Sequence, residues 1–166
     1  MDLDNTQIRL VVTDADLNGI KSLFREYFTW VDTTMRFDMT YQEVQQELKT
    51  LPGAFSPPAG CLLLAEVDGQ AAGCASLRPR GPGVCELKRM YVRPEYQGRG
   101  LGRALCERII QEGKDKGYAL MRLDTEKTLS AAQHIYRSFG FQDASPYYHV
   151  PPGIFERTVF MELPLR

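Results

Sequence analysis

Three glycines at alternate positions, Gly98, Gly100 and Gly102, follow the apolar run Met90-Tyr91-Val92 and the turn Arg93-Pro94-Glu95-Tyr96-Gln97. Small residues at that spacing leave backbone N–H groups uncovered where a helix begins. Free amides and the positive end of the helix dipole together suit a pyrophosphate. The nearby charges agree. From Lys88 to Arg108 there are six Lys or Arg, at positions 88, 89, 93, 99, 103 and 108, against only Glu95 and Glu107. This basic stretch sits in a chain whose formal net charge is −1.

Other reactive residue types point to less. His134 and His149 have no carboxylate or thiol at metal-ligand spacing, so no metal is expected. Cys61, Cys74, Cys85 and Cys106 lie inside apolar segments without paired short spacing, which reads as buried free thiols of a cytoplasmic protein. Cys106 falls within a helix pattern and reads as packing, not as a nucleophile. The near-neutral charge argues against nucleic acid as a partner. Met1-Asp2-Leu3-Asp4-Asn5 is acidic and polar, unlike a signal peptide. No apolar run approaches the roughly 20 residues that span a bilayer, so no membrane is expected.

The elements that must position the glycine turn follow from periodicity. Ile8 to Val12 reads as a strand, and Thr13-Asp14 as the cap of a helix carrying Leu17, Ile20, Leu23, Phe24 and Phe28. A second helix fits Thr40 to Leu51, ended by Pro52-Gly53. Residues 61–67 and 70–77 form a hairpin around Asp68-Gly69. Val84 to Val92 is a strand, and the helix after the glycines buries Leu101, Leu105 and Ile109. Ala119 to Leu123 is a further strand. Leu129, Ala132, Ile135, Tyr136 and Phe139 share a helix face, with Gly140 at its left-handed end. A proline-bearing loop leads to a last strand near Arg157 to Leu163. Early antiparallel strands and later strand–helix alternation give an α/β (α+β) sheet with helices on both faces. Alternation along Val84–Val92 places Glu86, Lys88, Met90 and Val92 on one face and Cys85, Leu87, Arg89 and Tyr91 on the other.

Glu86-Leu87-Lys88-Arg89-Met90-Tyr91-Val92 and Gln97-Gly98-Arg99-Gly100-Leu101-Gly102 together resemble the acetyl-CoA signature of the GCN5-related N-acetyltransferase (GNAT) family. Downstream, Ala132, Tyr136 and Gly140-Phe141 resemble that family's Ala-x-x-x-Tyr-x-x-x-Gly-Phe helix. The resemblance runs over nearly the whole chain and implies one GNAT domain over residues 1–166. It implies a mixed, mostly antiparallel sheet with a splay between the strand ending at Val92 and the strand 118–124. Acetyl-CoA is the implied cosubstrate. Its pyrophosphate would rest on amides of Gln97, Gly98, Arg99, Gly100, Leu101, Gly102 and Arg103; the Arg99 and Arg103 side chains read either as phosphate contacts or as exposed helix-start arginines. Its pantetheine arm would run beside Met90, Tyr91 and Val92. Leu129 departs from the family pattern, which often has Asn there to help hold the pantetheine.

The implied chemistry is acyl transfer from a thioester to an amine. An alkylammonium has a pKa of roughly 10, so a base must take its proton before it can attack. The resemblance makes Glu86 the candidate base and Tyr136 the candidate acid for the leaving thiolate. On the residues alone, Glu86 also reads as a strand-end carboxylate paired with Arg122 or Lys88, and Tyr136 as a core aromatic. A backbone N–H near Met90 is the implied oxyanion donor. Phe28, Trp30, Phe37, Tyr41, Tyr147 and Tyr148 fall where the family shapes its acceptor pocket; such rings either hold an amine or serve as lid and core. No strongly acidic groove is visible, so a small-molecule amine or amino acid is the expected acceptor. A protein N-terminus or lysine is the second reading, and a non-catalytic acyl-CoA sensor the third. A homodimer stays open.

Overall fold

The structure, a computed structural model, describes residues 5–35 and 39–166. Strand β1 (Thr6–Leu10) leads into helix α1 (Asp14–Trp30). Thr13 caps α1 and Asp16 closes the capping box. The other Asp16 oxygen meets Arg9 at 2.7 Å, which ties the helix start to β1. A π-helical segment, Val31–Met35, prolongs α1, and α2 (Tyr41–Thr50) follows with its own capping box from Thr40 and Glu43. Phe37 lies outside the described residues.

Strands β2 (Cys61–Val67) and β3 (Gln70–Pro79) form the expected hairpin. Asp68 and Gly69 both have positive φ, the conformation that a two-residue hairpin turn demands. Then come β4 (Val84–Val92), α3 (Leu101–Asp115), β5 (Leu120–Glu126), α4 (Ser130–Ser138), the short β6 (Gln142–Asp143), one turn of helix α5 (Pro152–Phe155) and β7 (Thr158–Pro164). Strand order is β1-β2-β3-β4-β5-β7-β6, antiparallel except at β4–β5. The stretch read from sequence as one long loop thus holds both β6 and α5.

Apolar side chains cover both faces of the sheet. On one face, Leu63, Ala65, Leu77, Cys85, Leu87, Met121 and Leu123 pack against Leu101, Leu105 and Ile109 of α3 and Tyr136 of α4. On the other, Leu62, Leu64 and Cys74 pack against Ile20, Leu23, Phe24 and Phe28 of α1 and Leu48 of α2.

Two irregularities in β4 matter most. Its ladder with β3 pairs Ser76 with Lys88 and Cys74 with Tyr91, so one residue, Ala75, faces two, Arg89 and Met90. This is a β-bulge, and Arg89 takes φ +52 to make it. The bulge overturns the simple alternation. Met90 and Val92 pack with Leu87 on the α3 face, while Arg89 stacks under Tyr27 and Phe28 and Tyr91 packs with the α1 cluster. Glu86 and Met90 are therefore on opposite faces. The second irregularity is on the other edge. The parallel ladder with β5 holds only Val84–Leu120, Cys85–Met121 and Glu86–Arg122, and then the strands part.

Candidate active site

A cavity of about 1350 Å³ opens from this fork. It runs between Leu87–Val92 of β4 and Asp124–Glu126 of β5, past Tyr136 of α4, to the glycine turn. At its outer end, Pro94 starts a 3₁₀ turn and Gly100 caps α3 at φ +83, the left-handed region that favours glycine. The first helical bond of α3 runs from the Ala104 N–H to the Gly100 carbonyl. The amides of Leu101, Gly102 and Arg103 precede it and have no acceptor within the helix. A Cβ on Gly102 would meet Ile135 at 3.5 Å, an ordinary van der Waals contact between α3 and α4. The Gln97 side chain folds back and donates to the Val92 carbonyl at 2.9 Å, which fixes the turn to the strand end.

The basic stretch resolves into two groups. Lys88 pairs with Asp124, Arg89 with Glu47, Arg93 with Glu26 and Arg108 with Glu112. Arg99 and Arg103 have no carboxylate partner among the described residues. Arg99 lies over the Tyr96 ring, and Arg103 lies over Phe139 and donates to Ser138. The two cations left without an acid are thus the two at the start of α3.

The structure brings Met90, Tyr91, Val92, Gln97, Gly98, Gly100, Leu101, Gly102 and Arg103 to the cavity wall; the Arg99 side chain stays outside it. Leu129 lines the cavity as an apolar wall. Tyr136 is 6% exposed, packs edge-on against Phe141 and lines the cavity, with no hydrogen bond to its hydroxyl among the described residues. Burial holds its phenol above the ordinary pKa, so it stays protonated.

Glu86 has another setting. It is fully buried, and its Oε1 accepts from Arg78 at 2.7 Å. Its Oε2 accepts from the Tyr147 hydroxyl and lies 4.0 Å from Lys88. It does not line the cavity. Its chief ionic partner is therefore Arg78, brought opposite by the β3–β4 register, and not Arg122, which pairs with Glu162.

The acceptor aromatics divide likewise. Trp30 and Tyr148 reach the cavity. Phe28 is buried core beneath Arg89, Tyr41 is 75% exposed at the start of α2, and Tyr147 covers Glu86. Sequence reasoning missed Lys88 and Asp124. Continuing the parallel register past Glu86 and Arg122 would set them opposite each other two residues further on, and their side chains bridge the fork at 2.9 Å where the ladder has stopped. Asp124 also accepts from the Tyr148 hydroxyl. Burial would raise the Asp124 pKa, but Lys88 and Tyr148 outweigh it and hold the carboxyl below its ordinary value. Among the described residues, no group of His, Cys, Asp and Glu could hold a metal, and no helix is long and apolar enough to cross a membrane.

Comparisons with known proteins agree with this geometry. Residues 17–141 match the acetyltransferase (GNAT) family. An uncharacterized N-acetyltransferase of Schizosaccharomyces pombe is 42% identical over 149 residues, which is 89% of either chain. A shorter match, 39% identical over 82 residues, joins 48% of this chain to 55% of the ribosomal protein bS18-alanine N-acetyltransferase of Escherichia coli. The YncA protein of Salmonella typhimurium, solved with its cofactor acetyl-CoA, superimposes with a TM-score of 0.75 at 28% identity over 98% of this chain and 95% of its own. With the forked sheet, the glycine turn and these relatives together, the chain belongs to the GNAT family and is an N-acetyltransferase.

Proposed function

We propose that the protein transfers an acetyl group from acetyl-CoA directly to a primary amine of a small molecule or amino acid, within one ternary complex. The fork between β4 and β5, continuous with the glycine turn, carries this reading. The pyrophosphate rests on the amides that open α3, with Arg99 and Arg103 beside it. The pantetheine arm follows the free edge of β4 as an extended peptide would. The bulge at Arg89-Met90 turns backbone amides out of the ladder, and one of them serves the developing oxyanion. Tyr136, a protonated phenol with its hydroxyl uncommitted, donates to the leaving thiolate.

Glu86 takes the ammonium proton, but not by direct contact, because both its oxygens are engaged and it does not line the cavity; the proton arrives through water. Direct transfer is favoured over an acyl-cysteine. All four thiols are buried, and desolvation pushes them up to about 12. Free thiols also fit a reducing cytoplasm.

A small acceptor is favoured because the acids near the fork are already paired: Glu47 with Arg89, Asp124 with Lys88 and Glu126 with Arg157. Among the described residues, that arrangement leaves no acidic groove for a cationic protein tail. The bS18-alanine relative favours a protein N-terminus as the second reading. The test is thiol release from acetyl-CoA across small amines, amino acids and peptides with free N-termini, beside calorimetry of acetyl-CoA binding. Turnover of peptides alone would give the second reading. Tight acetyl-CoA binding with no amine acetylated would make the protein a sensor.

A further inference from the structure

Lys88 and Asp124 hold an unusual place for an ion pair. Both are about nine-tenths buried, they bridge the fork itself, and both line the cavity. Two further polar groups lie beside Lys88. Glu86 Oε2 is 4.0 Å from its ammonium. Directly across the ladder stands Ser76, whose hydroxyl is the buried side-chain polar atom with no hydrogen-bond partner among the described residues. A buried hydroxyl left unpaired costs about 1–3 kcal/mol, so its presence on the residue facing Lys88 calls for a reason.

We propose that Lys88 is a placeholder for the acceptor: the acceptor's ammonium takes over Asp124, and the Lys88 ammonium moves onto Glu86 and Ser76. The exchange replaces one ammonium–carboxylate contact by another; Glu86 then faces both Arg78 and Lys88, so the fork carries one net positive charge until the acceptor gives up its proton. It also satisfies the Ser76 hydroxyl. The site is thereby selective for a compact cationic primary amine, since only an –NH₃⁺ group reproduces what Lys88 gives to Asp124. Tyr148, donating to the second Asp124 oxygen, keeps the carboxylate oriented through the exchange. Asp124 is then the group that receives the acceptor, and Ser76 acts only through Lys88. The inference rests on reading the acceptor as a primary amine.

The test uses methylammonium as the probe, followed by NMR of the Lys88 side chain and the Asp124 carboxyl carbon in the full-length protein. A saturable shift of the Lys88 signals is expected, absent with tetramethylammonium and absent in Asp124→Asn. In Lys88→Met the carboxyl carbon should still respond, and at lower methylammonium, because nothing has to be displaced. In Ser76→Ala the protein should be as stable as wild type or more so, yet bind methylammonium more weakly. With any amine that the enzyme acetylates, Asp124→Asn should raise the acceptor KM roughly 10- to 100-fold, the range of a lost charged hydrogen bond, with acetyl-CoA binding unchanged. A purely structural ion pair would instead make Asp124→Asn and Lys88→Met equally harmful and leave Ser76→Ala neutral in binding. That pattern, or no methylammonium-dependent shift in the wild type, overturns the proposal. Because the probe experiment needs no acetyl transfer, its failure is distinct from failure of the acetyltransferase reading. Ser76→Ala and Lys88→Met keep the test decisive if Asp124→Asn does not fold.

Discussion

Removing one oxygen atom from Tyr136 separates its chemistry from its packing. In Tyr136→Phe the ring keeps its edge-on contact with Phe141, at 5.8 Å between centroids, and its place in the core. No protein hydrogen bond is lost among the described residues. A buried hydroxyl without a partner costs about 1–3 kcal/mol, and the Tyr136 hydroxyl faces the cavity, so only part of that cost is present to be relieved. The variant should therefore melt at the wild-type temperature or slightly above it. Its chemical step should slow by about 10²–10⁴, the worth of a positioned acid. Because burial holds the phenol above its ordinary pKa, the donor is loaded throughout the neutral range, and the deficit should be flat with pH up to about 10. The assay is single-turnover release of the coenzyme A thiol, read with a chromogenic disulfide. The enzyme's own thiols are at most 3% exposed and pushed up to about 12, so they should stay silent. A single-turnover rate equal to wild type, in a folded variant with normal acetyl-CoA affinity, would refute the role of Tyr136 as donor.

Other perturbations test the rest of the site. At Gly100 a Cβ would meet nothing within 4 Å, so Gly100→Val costs stability through its left-handed backbone, about 1–2 kcal/mol or more, and puts a side chain in the proposed phosphate space; calorimetry on the folded protein should show weakened acetyl-CoA binding. Glu86→Gln should slow turnover by about 10²–10⁴ if Glu86 is the terminal base, with the loss shrinking as pH approaches about 10 and the amine arrives neutral; a loss that persists unchanged there would reduce Glu86 to the anchor of Arg78. Arg9 first, with the backbone amides of Val12 and Thr13, lowers the Asp16 pKa from 3.8 to about 2 against the opposing effect of burial. The folded value is the lower one, so this stabilisation is present above pH 3.8 and is lost as pH falls toward about 2. Denaturant titrations should show that acid-dependent part missing in Asp16→Asn.

The parts of the site that could be read from sequence are local in the chain. The turn is set by glycines and by Gln97, which bonds a carbonyl only five residues away. The bounds of β4, the Asp68-Gly69 turn and the helix carrying Tyr136 likewise depend on neighbours and on periodicity. The partners that decide charge at the fork are not local. Arg89 meets Glu47 from 42 residues away, Lys88 meets Asp124 from 36, and Tyr147 meets Glu86 from 61. Which cation neutralises which acid is a question of register, and Arg78 faces Glu86 only because the β3–β4 ladder places it there.

The bulge shows why period-2 alternation failed at the point where the chemistry is proposed. A side-chain pattern has period two only while the ladder is regular, and one extra residue flips everything beyond it. No glycine marks the spot; Arg89 itself takes positive φ, held by Glu47 and by the rings of Tyr27 and Phe28. A lone Arg at φ +52 is an uphill conformation, and tertiary contacts must supply the difference. Those contacts come from α1, which lines the cavity with Tyr27 and Trp30, and from α2, which supplies Glu47 behind it. On the proposed reading, the helices beside the acceptor therefore also hold the backbone irregularity that frees an amide for the donor. Loss of Glu47 should accordingly register in the chemical step as well as in acceptor binding, although Glu47 is not among the residues lining the cavity.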